Sequence, residues 1–480
     1  MPSGGLVGGQ YQPLIGQEIE RIHEAGLRIL ESTGTKVHNQ QSFEVFEDQG
    51  AIVDKETRTV KIPRSMVEEA LASAPSRVTL CGRQDEHDLI LEDRRVYLGT
   101  GGTAVNVLDL DGMRRQSILK DVAQLARLVD ALDNIHFYVL PVYPHDLPKE
   151  KVDVNRFYAG LSNTSKHVMG GIYTREGTLN VIRMAEEIAG GAEHLRKRAL
   201  VSFITCLVSP LMMDDHYGGL LLEVAKEGLP VVLSVEPLCG ATAPVTLAGN
   251  LTLWAAEVLS GVVLTQLVNP GTPAIAGYVG TITDMRTMGY LAGPIEAGLL
   301  NAGAAQLAQF WEVPLYATAG MSDSLVPDSQ AGYESALTTL LVALSGANFV
   351  HDAAGLLEFA LTASYEKYVI DNEINGMVMR ALQGIEMSDD AMAIDVIQQV
   401  GPGGDFVGER HTVKHMRSEF FFPLLANRKK LAAWEAEGSK DARERANEIA
   451  REILTTHEPL PIPGEVKARV GELLGVAEVG

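Results

Sequence analysis

An imidazole and a carboxylate that are neighbours in sequence, His351 and Asp352, leave the apolar run Asn348 to Val350 together. A solvated turn has no need of that pair, so it is the first candidate for chemistry in the chain. Upstream, the apolar run Val313 to Ala319 breaks at Gly320 into a stretch holding Ser322, Asp323, Ser324, Asp328 and Gln330. Carboxylates, an amide, hydroxyls and an imidazole are the groups that orient a polar or charged substrate and hold or move protons. Ser, Asp and Gln after a strand are also ordinary loop and helix-capping residues, and that reading stands beside the functional one.

What positions these residues is an alternation of strand and helix. Val313 to Ala319 reads as a strand, Tyr333 to Ser345 as a helix stopped by Gly346, and Asn348 to His351 as the next strand. Similar runs are Val96 to Gly99, His136 to Pro141, His167 to Ile172, Leu200 to Leu207, Leu229 to Val235 and Ala274 to Val279, with helical runs such as Leu119 to Leu132 and Ile295 to Phe310 between. Eight such units predict an α/β fold, a (β/α)₈ TIM barrel, in which every parallel strand ends on one rim. A doubly wound open sheet gives the same alternation, and eight units favour closure. Residues 1–92 are expected to form an N-terminal extension of helices and short strands, beginning with a Gly-rich arm over 1–13. The barrel is expected over 93–370, and a C-terminal helical extension over 371–480.

Composition excludes several partners. A net charge of −22 opposes phosphate backbones and anionic lipid, so neither nucleic acid nor membrane is an expected partner. Three scattered cysteines, Cys81, Cys206 and Cys239, support neither a disulfide framework nor a Cys-rich zinc site, and a reducing, cytoplasmic location is expected. The amino terminus, MPSGGLVGGQYQPL, lacks a basic start followed by an apolar core and no 18-residue uninterrupted apolar run appears, so neither an export signal nor a membrane span is expected.

Other motifs are weaker. Gly99 to Ala104 matches G-x-G-x-x-A, but a strand and turn follow where a dinucleotide site needs a helix, so the glycines predict close backbone approach, with Tyr97 and Thr103 toward the cavity. His411 and His415 stand four apart on a helix; a carboxylate-paired face suits them better than a metal, given Arg410, Lys414 and Arg417 beside them. Asp214 and Asp215 read as helix caps before His216. Glu236, past the fifth strand, and Glu296, in the first turn of a helix, both overlook the expected rim; for Glu296 the helix dipole is the plain alternative. Tyr143, Tyr173, Tyr278, Tyr333 and Phe359 fall near strand ends where Lys and Arg are sparse, which suits a cationic methylammonium ligand through cation–π attraction.

Four separated segments, GGQYQPL, EIERIHEAGLRILESTG, SLVPDSQAGYESALTTLLVALSGANFVHDAAGLLE and VGPGGDFVGERHTVKHMR, resemble the trimethylamine methyltransferase family of corrinoid-dependent enzymes. The resemblance implies a barrel that passes a methyl group from an amine to the Co(I) corrinoid (cobalamin) of a cognate partner protein docked at the mouth, without a metal or nucleotide of its own. The trimethylamine-specific members carry pyrrolysine in the cavity; this sequence has only standard residues and so resembles the branch acting on quaternary amines such as glycine betaine. On that footing His351, Asp352 and Glu296 are the expected catalytic group, with His351 as donor to a betaine carboxylate. Gln330, Tyr333, Asp328, Tyr97, Tyr278, Phe359 and Glu236 are expected around the substrate, and Thr103, Ser324 and Gly320 toward the corrinoid. A homo-oligomer is expected. The rival readings are trimethylamine or another methylamine as substrate, a non-catalytic quaternary-amine sensor, and a metal-dependent barrel hydrolase or lyase using His351, Asp352, Glu236 and His216.

Overall fold

The computed structural model describes residues 5–477, so the first four residues of the expected amino-terminal arm lie outside it. Eight parallel strands form its centre: β1 (Arg95–Leu98), β2 (Phe137–Val139), β3 (His167–Gly171), β4 (Val201–Leu207), β5 (Val231–Val235), β6 (Ala274–Tyr278), β7 (Leu315–Thr318) and β8 (Phe349–His351). Each is followed by a helix: α1 (Leu119–Asp130), α2 (Lys149–Asn163), α3 (Arg175–Ala189), α4 (Asp215–Lys226), α5 (Leu247–Val268), α6 (Ile295–Phe310), α7 (Ser329–Ser345) and α8 (Tyr365–Leu382). The eighth strand pairs with the first, Phe349 opposite Tyr97. Between β1 and β2 the backbone closes the ring: the His136 N–H donates to the Leu98 carbonyl at 2.7 Å and the Thr100 N–H to the Phe137 carbonyl at 3.4 Å. The chain is a (β/α)₈ barrel.

Side chains alternate across a strand, so one set of positions fills the lumen and the other packs under the helices. Tyr97, Phe137, Val139, Met169, Ile204, Val232, Ile275, Tyr316 and Phe349 form the inner core. The hairpin Val78–Leu80 and Leu89–Leu91 joins this cluster and plugs the amino-terminal end of the barrel. The opposite set belongs to the larger core between strands and helices. The helix α5 is long and apolar enough to cross a membrane, the only such helix among the described residues, but 83% of its most apolar window is buried inside the protein. Helices Gly16–Ser32, Gln40–Asp48 and Arg64–Ser73 cover it from outside.

The structure moves the expected boundary at 370/371. α8 runs unbroken from Tyr365 to Leu382, packed between the barrel and the later helix Ala442–Thr456, so the segment NEINGMVMRAL completes the eighth unit. Burial on both faces removes the one-sided apolar stripe that would have marked it.

Two small sheets flank the carboxyl-terminal mouth. One joins Leu356–Leu357 and Thr362–Ser364 from the β8–α8 loop to the β1–α1 hairpin Asn106–Leu108 and Arg114–Gln116. The other joins Leu238–Cys239 from the β5–α5 loop to Thr281–Asp284 and Gly289–Tyr290 from the β6–α6 loop.

Candidate active site

Following the inward register two residues past the apolar core gives the floor of the mouth. Ile204 leads to Cys206, Val232 through Ser234 to Glu236, Tyr316 to Thr318, and Phe349 to His351, with Thr318 and His351 directly paired across β7 and β8. An apolar plug below and polar groups above is what parallel barrel strands deliver to a common rim.

His351 is buried and locked. Its ring stacks on Tyr316 with centroids 3.7 Å apart. Nδ1 lies 2.7 Å from the Ala317 carbonyl, which can only accept, so Nδ1 carries a hydrogen. Nε2 faces the Asp352 carboxylate at 2.9 Å and the Thr318 hydroxyl at 3.1 Å. With both nitrogens occupied, the expected role of His351 as donor to a substrate carboxylate does not fit; the ring orients Asp352. Asp352 itself adopts φ +61°, the left-handed region that non-glycine residues occupy chiefly where surrounding structure enforces it. Its Oδ1 is buried without a hydrogen-bond partner.

Gly101 makes this arrangement possible. A β-carbon there would overlap Asp352 Oδ1 and lie 2.8 Å from the His351 ring. Gly101→Ala is therefore expected to displace the carboxylate. Overpacking of this kind costs about 1–3 kcal/mol, and the check is a fall in turnover measured beside an unfolding curve.

Glu236 projects into the cavity from the end of β5. Water reaches it, yet the barrel wall encloses it, and that enclosure, followed by the negative charge of Asp352, pushes its carboxyl up to about 7. Burial and then Glu236 push the Cys206 thiol up to about 12. Tyr290, carried over the mouth by its hairpin, is raised by burial and then by Glu236, Asp352 and Asp323. Asp323 accepts from the Ala292 N–H at 2.6 Å and the Gly293 N–H at 3.2 Å, which ties the β7–α7 loop to the Tyr290 flap. On the other side Tyr143 and Tyr173 meet edge to face at 5.3 Å, and the Tyr217 phenol neighbours Cys206. Beneath Tyr173 the guanidinium of the fully buried Arg156 sits 5.3 Å from the ring centroid. The mouth thus combines two carboxylates with partly exposed tyrosines.

The remaining expected residues make other contacts. Tyr278 faces outward: its ring meets Trp254 at 5.2 Å and its hydroxyl donates to Asn250 at 2.7 Å, under α5. Tyr97 does face the lumen, but at its base, where its hydroxyl accepts from the Ile90 N–H of the plug at 3.0 Å. Tyr333 is 54% exposed and lines a cavity of about 250 Å³ with Ile295 and Leu337, between α6 and α7. Gln330 braces Glu334 at 2.9 Å, which in turn accepts from Ser322 and the Asp323 N–H. Asp328 caps α7 and is held below its usual range by the Ala331 N–H, and the Ser324 hydroxyl donates to it at 2.9 Å. Gly320, at φ +83°, lets β7 pass Ala353. Thr103 is exposed and donates to its own loop at Gly102. Phe359 is half-buried and its N–H anchors to the Ser322 carbonyl at 3.2 Å. Glu296 lies in the first turn of α6, where its charge reaches the Cys239 thiol; it makes no hydrogen bond to His351 or Asp352. Among the described residues no three His, Cys, Asp or Glu side chains gather as metal ligands, and His411 and His415 face Asp390.

Cys206, Tyr217 and Tyr290 were missed. Cys206 was within reach of the alternation along β4, whereas Tyr217 and Tyr290 arrive from a helix start and a hairpin whose direction only the fold sets.

A closed barrel with an acidic, tyrosine-lined mouth is the framework of an enzyme. The trimethylamine methyltransferase family model matches residues 7–474. A trimethylamine methyltransferase, MttB, of Desulfitobacterium hafniense is 38% identical, covering 96% of this chain and 93% of that protein. A glycine betaine methyltransferase of the same species is 34% identical, covering 96% of each. The solved monomethylamine methyltransferase of Methanosarcina barkeri, MtmB, superposes with a TM-score of 0.54 at 11% identity, covering 92% of this chain and 87% of that one. The chain belongs to the trimethylamine methyltransferase family.

Proposed function

We propose that this enzyme moves a methyl group from a quaternary ammonium compound, glycine betaine or a similar betaine, to the Co(I) corrinoid of a partner protein that docks at the mouth. The observation that carries the substrate class is the pair of carboxylates, Glu236 and Asp352, close enough to oppose each other's charge in a cavity edged by Tyr290, Tyr173 and Tyr143. Two enclosed carboxylates and aromatic faces stabilise a fixed positive charge. The relatives include both trimethylamine and glycine betaine enzymes, so the choice between them rests on this chain's own residues.

The chemistry needs little from the protein beyond binding and orientation. The methyl acceptor supplies an electron pair to the carbon; the C–N bond breaks with its pair going to nitrogen, and the amine leaves neutral. No proton is transferred. The tasks left to the chain are holding the ammonium pole against Glu236 and Asp352, aiming one methyl outward, and excluding water. The acceptor side has matching surface: Met285, Met288, Val245 and Leu325 are exposed apolar residues on mouth loops, suited to the edge of a flat macrocycle.

Glycine betaine, proline betaine, carnitine, choline and trimethylamine offered with Co(I) cobalamin should separate the substrates, with methyl-Co(III) formation followed by absorbance. A quaternary amine should be the best donor; ligand binding without transfer from any of them would leave a sensor instead.

Glu236 gives this reading a pH signature. Its carboxyl titrates at about 7 in the free enzyme, so it is neutral below and anionic above. kcat/KM for a quaternary amine should rise with pH through about 7 and level off. With the cation bound the charged form is favoured, so the limb in kcat should move to lower pH. Glu236→Gln should remove both limbs.

A further inference from the structure

The hairpin that carries Tyr290 over the mouth has little of its own to hold it there. Among the described residues its only ladder partner is the two-residue strand Leu238–Cys239. A two-stranded hairpin is marginal by itself, so its position depends on what its root is tied to. The tie is Asp323, whose carboxylate accepts from the Ala292 N–H at 2.6 Å and the Gly293 N–H at 3.2 Å, just beyond Tyr290 in the chain. Asp323 is placed in turn by Glu334, from the second turn of α7. Glu334 Oε2 accepts from the Ser322 hydroxyl at 2.6 Å and the Asp323 N–H at 2.9 Å, and Oε1 accepts from Gln330 at 2.9 Å. The flap also packs on this carboxylate directly: a β-carbon on Gly293 would lie 2.4 Å from Oε2 and displace it.

Ser322 extends the same network to the β8–α8 loop. Its hydroxyl accepts from the Ser324 N–H at 3.0 Å and its carbonyl from the Phe359 N–H at 3.2 Å, while the Ser324 carbonyl accepts from the Glu358 N–H at 2.8 Å. Those bonds fall on strained backbone, for Glu358, Phe359 and Ala360 hold φ +55°, +57° and +66° in succession. Left-handed stretches of residues with a β-carbon persist only where the surroundings enforce them, and they concentrate at functional sites. One side chain, Glu334, thus stands at the root of the loops that follow β6, β7 and β8.

We propose that Glu334 is a positioning residue for methyl transfer: through Asp323 it holds the Tyr290 flap in place over the substrate's positive charge. Glu334 acts at one remove from the chemistry, and Tyr290 is the residue it places. The charges that Tyr290 faces, Glu236 and Asp352, are those assigned above to the ammonium pole. The inference rests on that reading of the mouth, and the test separates the two.

The first readout, on the full chain, needs no substrate. In Asp323→Ala and in Glu334→Ala, amide hydrogen exchange across residues 281–293 should quicken by about 10- to 150-fold, while β5 and β6 exchange as in the wild type. The second is a double-mutant cycle on kcat/KM with Co(I) cobalamin and whichever quaternary amine the wild type demethylates. Asp323→Ala and Tyr290→Ala should each lower kcat/KM by about 10- to 150-fold. The double variant should be at most about 2-fold worse than Tyr290→Ala, because the tie has nothing left to place; a merely structural role would let the two losses multiply. Glu334→Ala gives the same cycle if Asp323→Ala does not fold, and Glu334→Gln, which keeps an acceptor oxygen for Ser322 and Asp323, should recover most of the loss. Losses that multiply in the double variant, or flap exchange at the wild-type rate, overturn the proposal while the reading of the mouth stands. Transfer from none of the quaternary amines would remove that reading, and with it this role for Glu334.

Discussion

Asp352→Asn should lower kcat/KM for a quaternary amine by about 30- to 5,000-fold, the range that corresponds to about 2–5 kcal/mol for removing one member of a buried charge pair. The geometry explains why so small a change matters. Oδ2 is committed to His351 at 2.9 Å, Oδ1 is buried with no partner, and the carboxylate fills the space that the missing side chain of Gly101 leaves. A cation in the mouth supplies the charge that the protein withholds from Oδ1. The amide keeps the shape and loses the charge, so kcat/KM should fall more than stability does. Asp352→Gly adds a second readout. It relieves a left-handed backbone at φ +61° and removes the repulsion felt by Glu236, so the melting temperature should hold or rise while activity disappears. In Asp352→Asn the Glu236 limb should move partway down from about 7, because burial, the larger cause, remains. Wild-type kinetics in Asp352→Asn would remove Asp352 from the site.

The second large effect concerns the scaffold. The Lys367 ammonium donates to Asp371 at 2.7 Å, to the Ser335 hydroxyl at 2.7 Å and to the Gly320 carbonyl at 3.2 Å, and Asp371 accepts from the Gly355 N–H at 2.7 Å. Both side chains are 1% exposed. This pair fastens the loop after β7 to the loop after β8, just beyond Thr318 and Asp352. Lys367→Met leaves Asp371 buried and unpaired, which costs about 3–5 kcal/mol; in a chain of 480 residues the melting temperature should drop by roughly 3–5 °C. Turnover should fall as well, since the mouth loops lose their common anchor. Replacing both members, Lys367→Met/Asp371→Leu, should recover most of the stability, because an apolar pair needs no compensation. A double variant as unstable as Lys367→Met alone would show that the ion pair is not the source of the effect.

How much of this was legible depended on which physical signal each feature leaves in sequence. The eight strands were, since buried parallel strands read as short apolar runs ended by polar or glycine residues. His351 and Asp352 were too, as polar residues following such a run without a break. Height and facing were not. A barrel strand is buried on both faces, so its sequence does not alternate, and nothing in GYVG says that Tyr278 turns outward to Trp254 while Glu236 turns in. Tyr97 faces the lumen as expected, yet at its plugged base, because depth depends on the strand stagger and on the hairpin below.

By itself the sequence determined the barrel, the rim from which polar groups emerge, the acidic surface and the family. The first three follow from periodicity and composition, which each segment carries locally; the family follows from the four segments that resemble it. Only the tertiary structure decided that His351 orients Asp352, that Glu236 and Asp352 confront each other, that Tyr217 and Tyr290 complete the mouth and that α8 belongs to the barrel. Each of these depends on distances between segments far apart in the chain, and a charge acquires its unusual proton affinity only from the neighbours and the enclosure that folding brings to it.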